Sequence, residues 1–256
     1  MKEFFEFMAV PMQKPTSYGV FHLLFGAFLI ALAITLAFLL RKTTEKQNKI
    51  VLIVVGSLLI VFEVLKQLFY YYFIGNGSYQ WWIFPFQLCS VPMYLCVIIP
   101  LIKSEKVKKW FYEFMFAINM LGGIMAFIEP SGINHEWLFL TLHAYVWHAM
   151  LIFLGLYLYF SKRACTTKMG YLKSLAVFAG MIVIAQILNV SIRKPGFNMF
   201  YVSPFEQSPL AVFSMFYEKL GWFPNMLLYI LAIALGSAAI YFSFYLFRKI
   251  KKNKHN

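Results

Sequence analysis

The sequence predicts an all-α fold: one transmembrane domain over 1–256, a polytopic bundle of seven transmembrane helices. Three observations carry that reading. Hydrophobic residues make up 61% of the chain, charged residues 13% and aromatics 20%, whereas a soluble domain is about half apolar and a quarter charged. Apolar runs recur at the length that crosses a bilayer. Lysines and arginines crowd every second connection between those runs. Neither an internal repeat of about 20–50 residues nor a low-complexity tract interrupts the pattern.

The runs are 21–40, 50–73, 83–102, 110–128, 137–160, 171–191 and 225–247. Each is close to the ~20 residues that cross ~30 Å of hydrocarbon at ~1.5 Å per residue. Residues 1–19 lack the form of a signal peptide, because Glu3 and Glu6 interrupt a short apolar run. Phe4, Phe5 and Met8 share a helical face opposite Lys2, Glu3 and Glu6. That segment reads equally as an interfacial helix or a frayed terminus.

Charge sets the expected orientation. Arg41, Lys42, Lys46 and Lys49 fill one loop, and Lys103, Lys106, Lys108 and Lys109 another. Lys162, Arg163, Lys168 and Lys173 follow, and the tail from Arg248 is basic, while 74–82 and 129–136 carry no Lys or Arg. The positive-inside rule then puts the C-terminus in the cytoplasm and the N-terminus outside a cell membrane. This distribution accounts for most of the formal charge of +13 with no nucleic-acid partner.

Chemistry concentrates around Phe84–Leu95, where Gln87, Cys89, Ser90 and Pro92 interrupt apolar sequence. Polar groups in hydrocarbon need partners. Glu63 and Lys66 on the preceding run, and His143 and His148 on a later one, are the candidates. Glu63, Lys66 and Gln67 are spaced i, i+3, i+4 and share one helical face. They read equally as a self-neutralising pair that pins the bundle or as a functional group. A cysteine in a span is ordinarily an inert small hydrophobe. His143 and His148 lie about 140° apart around a helix and face different neighbours. In the predicted orientation these groups fall in the outer half of the membrane, with Glu129, His135, Asn189 and Asn198 on the same side.

If the cluster is catalytic, a thiol near an imidazole attacks an ester and carries the acyl group as a thioester. The candidate catalytic set is Cys89, His143, His148, Glu63 and Glu129, either carboxylate orienting the imidazole. Lys66, Gln67, Gln87, Asn189 and Asn198 are candidates for substrate binding. Cys89, Cys96 and Cys165 show no metal spacing and imply no disulfide, and no cofactor motif appears. Membrane lipid is the solvent and a candidate substrate. Two other classes stay open: a transporter or channel with a Glu/Lys/His path, and a receptor or assembly protein using the outer loop. That loop, 192–224, combines prolines with Phe197–Tyr201 and Trp222–Phe223. It reads as a cap or re-entrant flap, or equally as an interfacial anchor. Asn119, Gly122, Gly123 and Ala126, with Ala232 and Gly236, read as close helix packing.

Four elements carry a resemblance: Pro85–Ser90, Phe127–Pro130, Leu142–His143 with His148 and Gly155–Leu158, and Asn198–Pro204. Together they resemble the YwaF-like bacterial integral membrane proteins, which are similar to animal transmembrane protein 164, an acyltransferase of ether phospholipids. The resemblance spans about 20–247. It implies a multi-pass fold, a cysteine nucleophile matching Cys89 and a histidine on a later helix, either His143 or His148. Gln87 stands where relatives often have histidine, and Glu129 where they often have aspartate.

Overall fold

The computed structural model describes residues 2–253, and helices dominate it. In chain order they are α1 (Lys2–Met8), α2 (Val20–Leu39), α3 (Glu45–Phe69), α4 (Val91–Ile98), α5 (Glu105–Phe114), α6 (Met120–Ile128), α7 (Leu138–Phe160), α8 (Lys168–Ile192), α9 (Ala211–Leu220) and α10 (Trp222–Asn253). With short 3-10 and π extensions, six helices among the described residues are long and apolar enough to cross a membrane. These are Val20–Lys42, Glu45–Ile74, Glu105–Ile128, Leu138–Phe160, Lys168–Ile192 and Trp222–Ile250.

The expected third span, 83–102, takes another form. A single turn at Trp81–Ile83 is followed by non-helical backbone through Gln87, and only then by the shorter helix Leu88–Leu101. At ~1.5 Å per residue that helix is roughly 21 Å long, short of a bilayer by itself. Proline is the local cause. Pro85 pushes Phe84 into extended conformation (φ −47°, ψ 133°). Pro92 sits in the first turn of α4, where its missing N–H costs nothing.

Local signals explain the other boundaries. Thr44 starts α3 with a capping box: its hydroxyl accepts from Gln47 N, and Gln47 Oε1 accepts from Thr44 N at 2.8 Å. Thr167 caps α8 by accepting from Gly170 N at 3.0 Å. That helix ends where Arg193 turns left-handed (φ 45°), just before Pro195.

Packing separates central helices from lipid-facing ones. The span containing α7 is 61% buried and the one joining α5 to α6 is 67% buried, against 17% for α8 and 22% for α2 and α10. The outer helices expose Leu24, Phe28, Ile184, Ile187, Leu231 and Leu235, a surface that water would not tolerate and lipid does. Close approach of α6 and α7 depends on glycine. A Cβ on Gly123 would stand 2.8 Å from His148 O, and one on Gly155 would stand 2.7 Å from Met120 Cβ. Gly236 packs against Leu121, whereas Gly122 faces open space.

At the lysine-rich end, Asn48 donates to Tyr112 Oη at 3.0 Å and accepts from Tyr157 Oη at 2.9 Å. Arg163 ties that end together through Thr43 O, Thr44 O and Glu45. At the opposite end α1 is docked. Phe5 is buried, stacks on Tyr72 and packs with Phe69, Ile83 and Leu140. Met12 N and Val10 O then pair with Glu136 O and Leu138 N, an antiparallel pairing that ties the first residues to the start of α7. The frayed-terminus expectation therefore gives way to a docked helix, which buries Phe5 and leaves Phe4 and Phe7 exposed.

Candidate functional site

The break before α4 exposes backbone that a continuous helix would have satisfied. In a low-dielectric interior each orphaned carbonyl costs about 1–3 kcal/mol, so the surrounding helices must supply donors. They do so with side chains. Gln67 Nε2 donates to Ile83 O at 2.7 Å and Tyr94 Oη to Pro85 O at 2.6 Å. Asn119 Nδ2 donates to Leu88 O at 2.8 Å, and Trp147 Nε1 to Cys89 O at 3.0 Å. Elements α3, α4, α6 and α7 thus converge on one irregular segment. Non-helical backbone at membrane depth is tolerated only where protein surrounds it in this way.

Asn119 reaches Leu88 because of a local distortion. The π turn Met115–Asn119 joins α5 to α6, and every residue in it is buried. One extra residue in a turn rotates the helix face that follows, a device common at functional sites. The packing role expected of Asn119 is therefore supplemented by a capping one.

The loop 192–224 closes the site from another side. Phe197, Met199, Phe200 and Val202 are all buried, so Phe197–Val202 enters the bundle as a flap. Gln87 holds it: Nε2 donates to Asn198 O, and Oε1 accepts from Phe200 N, both at 2.9 Å. Asn189 repeats the device by accepting from Met199 N at 2.7 Å and donating to Met199 O at 3.1 Å. Asn198 accepts from Ser203 N and donates to Glu206 O and Gln207 O. Of the four amides expected to bind substrate, Gln87, Asn189 and Asn198 are thus bonded to loop backbone, and Gln67 to Glu63 and Ile83 O. Phe200 and Tyr201 are both left-handed, at φ 56° and 55°, a strained pair for residues with bulky side chains. Tyr201 packs edge-on to Tyr229.

The expected charge cluster forms. Lys66 Nζ donates to Glu63 Oε2 at 2.8 Å, and Gln67 Nε2 to Glu63 Oε1 at 2.6 Å. Glu63 is 4% exposed. The pair's field reaches the connections that precede α4 and α7. Tyr79 is pushed up to about 12, by burial first and by Glu63 second. His135 is held down at about 4 by burial, with Lys14 and Lys66 adding to the effect.

The two histidines separate as their spacing requires. His143 stacks on Trp147 (5.4 Å, 24°) and meets Phe62 and Phe139, with Nε2 buried and unpartnered. His148 Nδ1 lies 2.7 Å from Ala144 O. A carbonyl can only accept, so Nδ1 carries the proton and Nε2 keeps its lone pair. Trp147, which grips Cys89 O, is the residue preceding His148. Glu129 stands apart, exposed and bonded to Ser131 Oγ at 2.7 Å.

No sequence motif marks Trp147 or Tyr229 for the site, and Tyr201 stands out only as part of the aromatic loop. An indole donor inside an apolar span was the one available signal, since a buried Trp N–H normally has a partner. The chain matches no curated protein and no solved structure. The sequence model of the TMEM164 family matches residues 16–246, nearly the whole length. This chain is a member of the TMEM164 family.

Proposed function

We propose that this protein is a phospholipid acyltransferase of the cell membrane, with Cys89 as nucleophile and His148 as its base. The observation that carries the reading is the bond from Trp147 Nε1 to Cys89 O. It ties the broken helix start bearing Cys89 to the turn of α7 bearing His148, whose Nδ1–H donation to Ala144 O leaves Nε2 free to accept a proton. Cys89 also lies at the N-terminal end of Leu88–Leu101, where the chain resumes helix after the break.

The chemistry runs in two balanced steps. Cys89 Sγ gives its proton to His148 Nε2 and attacks an ester carbonyl carbon. The tetrahedral centre collapses, the C–O bond breaks, and the leaving alkoxide takes the proton from the imidazolium. A lipid hydroxyl then loses its proton to His148 and attacks the thioester, releasing the thiolate, which is reprotonated. The Glu63–Lys66 pair sets the local field, and Gln87 positions the flap. In this reading the chain crosses seven times, because non-helical 84–87 and Leu88–Leu101 complete one passage together, with the N-terminus outside and the C-terminus in the cytoplasm.

The test is acyl exchange between phospholipids in proteoliposomes. Cys89→Ala abolishes exchange with expression and melting temperature nearly unchanged, as a small side chain replaces a small one. His148→Ala does the same, whereas His143→Ala lowers stability and activity together. Full exchange by Cys89→Ala overturns the proposal and moves a proton or ion path through Glu63, Lys66 and His148 ahead.

A further inference from the structure

At the lysine-rich end of the bundle, a cavity of about 250 Å³ lies where the start of α3, one face of α5 and the end of α7 meet. Thr43, Lys109, Tyr112, Lys162 and Arg163 line it. Behind them runs a chain of hydrogen bonds whose hydrogens can be counted. Arg163 can only donate, and its Nη1 gives a hydrogen to Thr43 Oγ1 at 3.4 Å. Thr43 Oγ1 lies 2.7 Å from Tyr157 Oη, and Tyr157 Oη donates to Asn48 Oδ1 at 2.9 Å. Asn48 Nδ2 then donates to Tyr112 Oη at 3.0 Å. The Thr43 hydrogen therefore goes to Tyr157, and the Tyr112 hydrogen is left without an acceptor among the described residues. Turning the Asn48 amide over reverses the chain as far as Thr43, whose own hydrogen is then the one left over. Either orientation leaves one hydroxyl hydrogen unpaired on a residue that lines the cavity.

The charges point the same way. Lys109 and Lys162 are exposed and have no carboxylate partner among the described residues. Arg163, its side chain only 8% exposed, keeps Nε buried without a partner. Glu45 and Glu105 stand at the rim, 65% and 62% exposed, and are already paired with Arg163 and Lys108. The cavity thus has both a surplus hydrogen and surplus positive charge. Water answers the first; an oxyanion answers both. The positive-inside pattern asks for lysines near helix ends, but it does not ask for a buried guanidinium and a hydroxyl with hydrogens to spare. The cavity lies where α3 and α5 begin and α7 stops, at the depth of the headgroup region. Basic pockets between helix ends at that depth suit lipid phosphates.

We propose that this cavity binds the phosphate of an anionic membrane lipid. Lys109 and Lys162 supply the charge, and the hydroxyl left over by the chain supplies its hydrogen. None of the residues around Cys89 lines this cavity, so its occupancy does not depend on acyl transfer.

The test is native mass spectrometry of the full-length protein released from micelles that hold phosphatidate and phosphatidylcholine with the same acyl chains at equal concentration. The phosphatidate adduct dominates. Lys109→Gln combined with Lys162→Gln weakens it about 10- to 30-fold and leaves the melting temperature without phosphatidate unchanged, because neither lysine has a carboxylate to lose. Lys109→Arg combined with Lys162→Arg retains the adduct. Lys103→Gln combined with Lys106→Gln removes the same charge outside the cavity and weakens binding by less than about threefold. Equal adducts of the two lipids leave water as the occupant and overturn the proposal. Equal weakening by the two glutamine pairs also overturns it, by showing a diffuse basic surface in place of a site. Inorganic phosphate that stabilises the protein as much as phosphatidate does, with the same loss in the Lys109/Lys162 glutamine pair, assigns the cavity to a soluble phosphate and overturns the lipid as its source.

Discussion

Replacing Gln87 with alanine isolates the contribution of one side chain to the closure of the site. Gln87 makes two bonds to the flap, to Asn198 O and Phe200 N, each 2.9 Å long. Phe200 is fully buried and Asn198 is 5% exposed, so Gln87→Ala orphans a buried acceptor and a buried donor. At about 1–2 kcal/mol each, flap closure weakens by about 2–4 kcal/mol. The left-handed pair Phe200–Tyr201 works in the same direction, because its strain is relieved on opening. Exchange through local opening then accelerates by about 30- to 900-fold. Hydrogen exchange read by mass spectrometry on peptides covering 197–203, with the protein in nanodiscs, measures this directly. Peptides from the middle of α7 serve as the internal control and stay protected. Gln87→Glu restores the acceptor for Phe200 N but sets a carboxylate against Asn198 O, so it recovers little. Unchanged exchange at 197–203 would refute the clamp, as would an equal rise in α7.

Other perturbations reach different parts of the same frame. Lys66→Met strands a buried carboxylate and costs about 3–5 kcal/mol, a fall of roughly 6–20 °C in melting temperature in detergent. Adding Glu63→Gln recovers part of that loss, whereas simple additivity would show that the two residues do not interact. His135, in the loop before α7, is held down at about 4 mainly by burial. The unfolded chain therefore binds a proton more readily between about pH 6.5 and 4. Stability is full above pH 6.5, falls by up to about 3 kcal/mol as pH drops through that window, and levels off below it. His135→Asn flattens the melting-temperature profile there, and an unchanged profile would assign the effect to another group. For orientation, single cysteines at 77 and 132 react with an impermeant reagent from outside, and those at 45, 105 and 166 only after permeabilisation. The opposite pattern would invert the arrangement.

Much of this architecture is legible in the residues. Six of the expected runs coincide with helices, because apolar length and flanking charge are local signals. The run at 83–102 misleads for a physical reason. Its composition suits a span, but Pro85 breaks it, and the resulting helix is short. What repairs the break, Asn119, Trp147 and Tyr94, comes from distant or ambiguous positions that no local pattern marks. Gln87, Asn189 and Asn198 were legible as polar groups out of place, yet their partners are backbone atoms of the flap, a role that residue type does not reveal. The Glu63–Lys66–Gln67 face was fully readable, since i, i+3, i+4 spacing fixes the geometry. Burial of Phe5 was not, because its partners lie on α3 and α7.

The central claim is that Cys89 carries an acyl group. The most direct measurement is intact-protein mass spectrometry after incubation in liposomes of a single phospholipid. The account predicts an added mass equal to that lipid's acyl chain, removed by neutral hydroxylamine as a thioester is, mapped to Cys89 and absent from Cys89→Ala. It also predicts accumulation of the adduct when no lipid hydroxyl is present and its loss when a lysophospholipid is added. An unmodified Cys89 in protein that exchanges acyl chains, or an adduct that persists in Cys89→Ala, would contradict it.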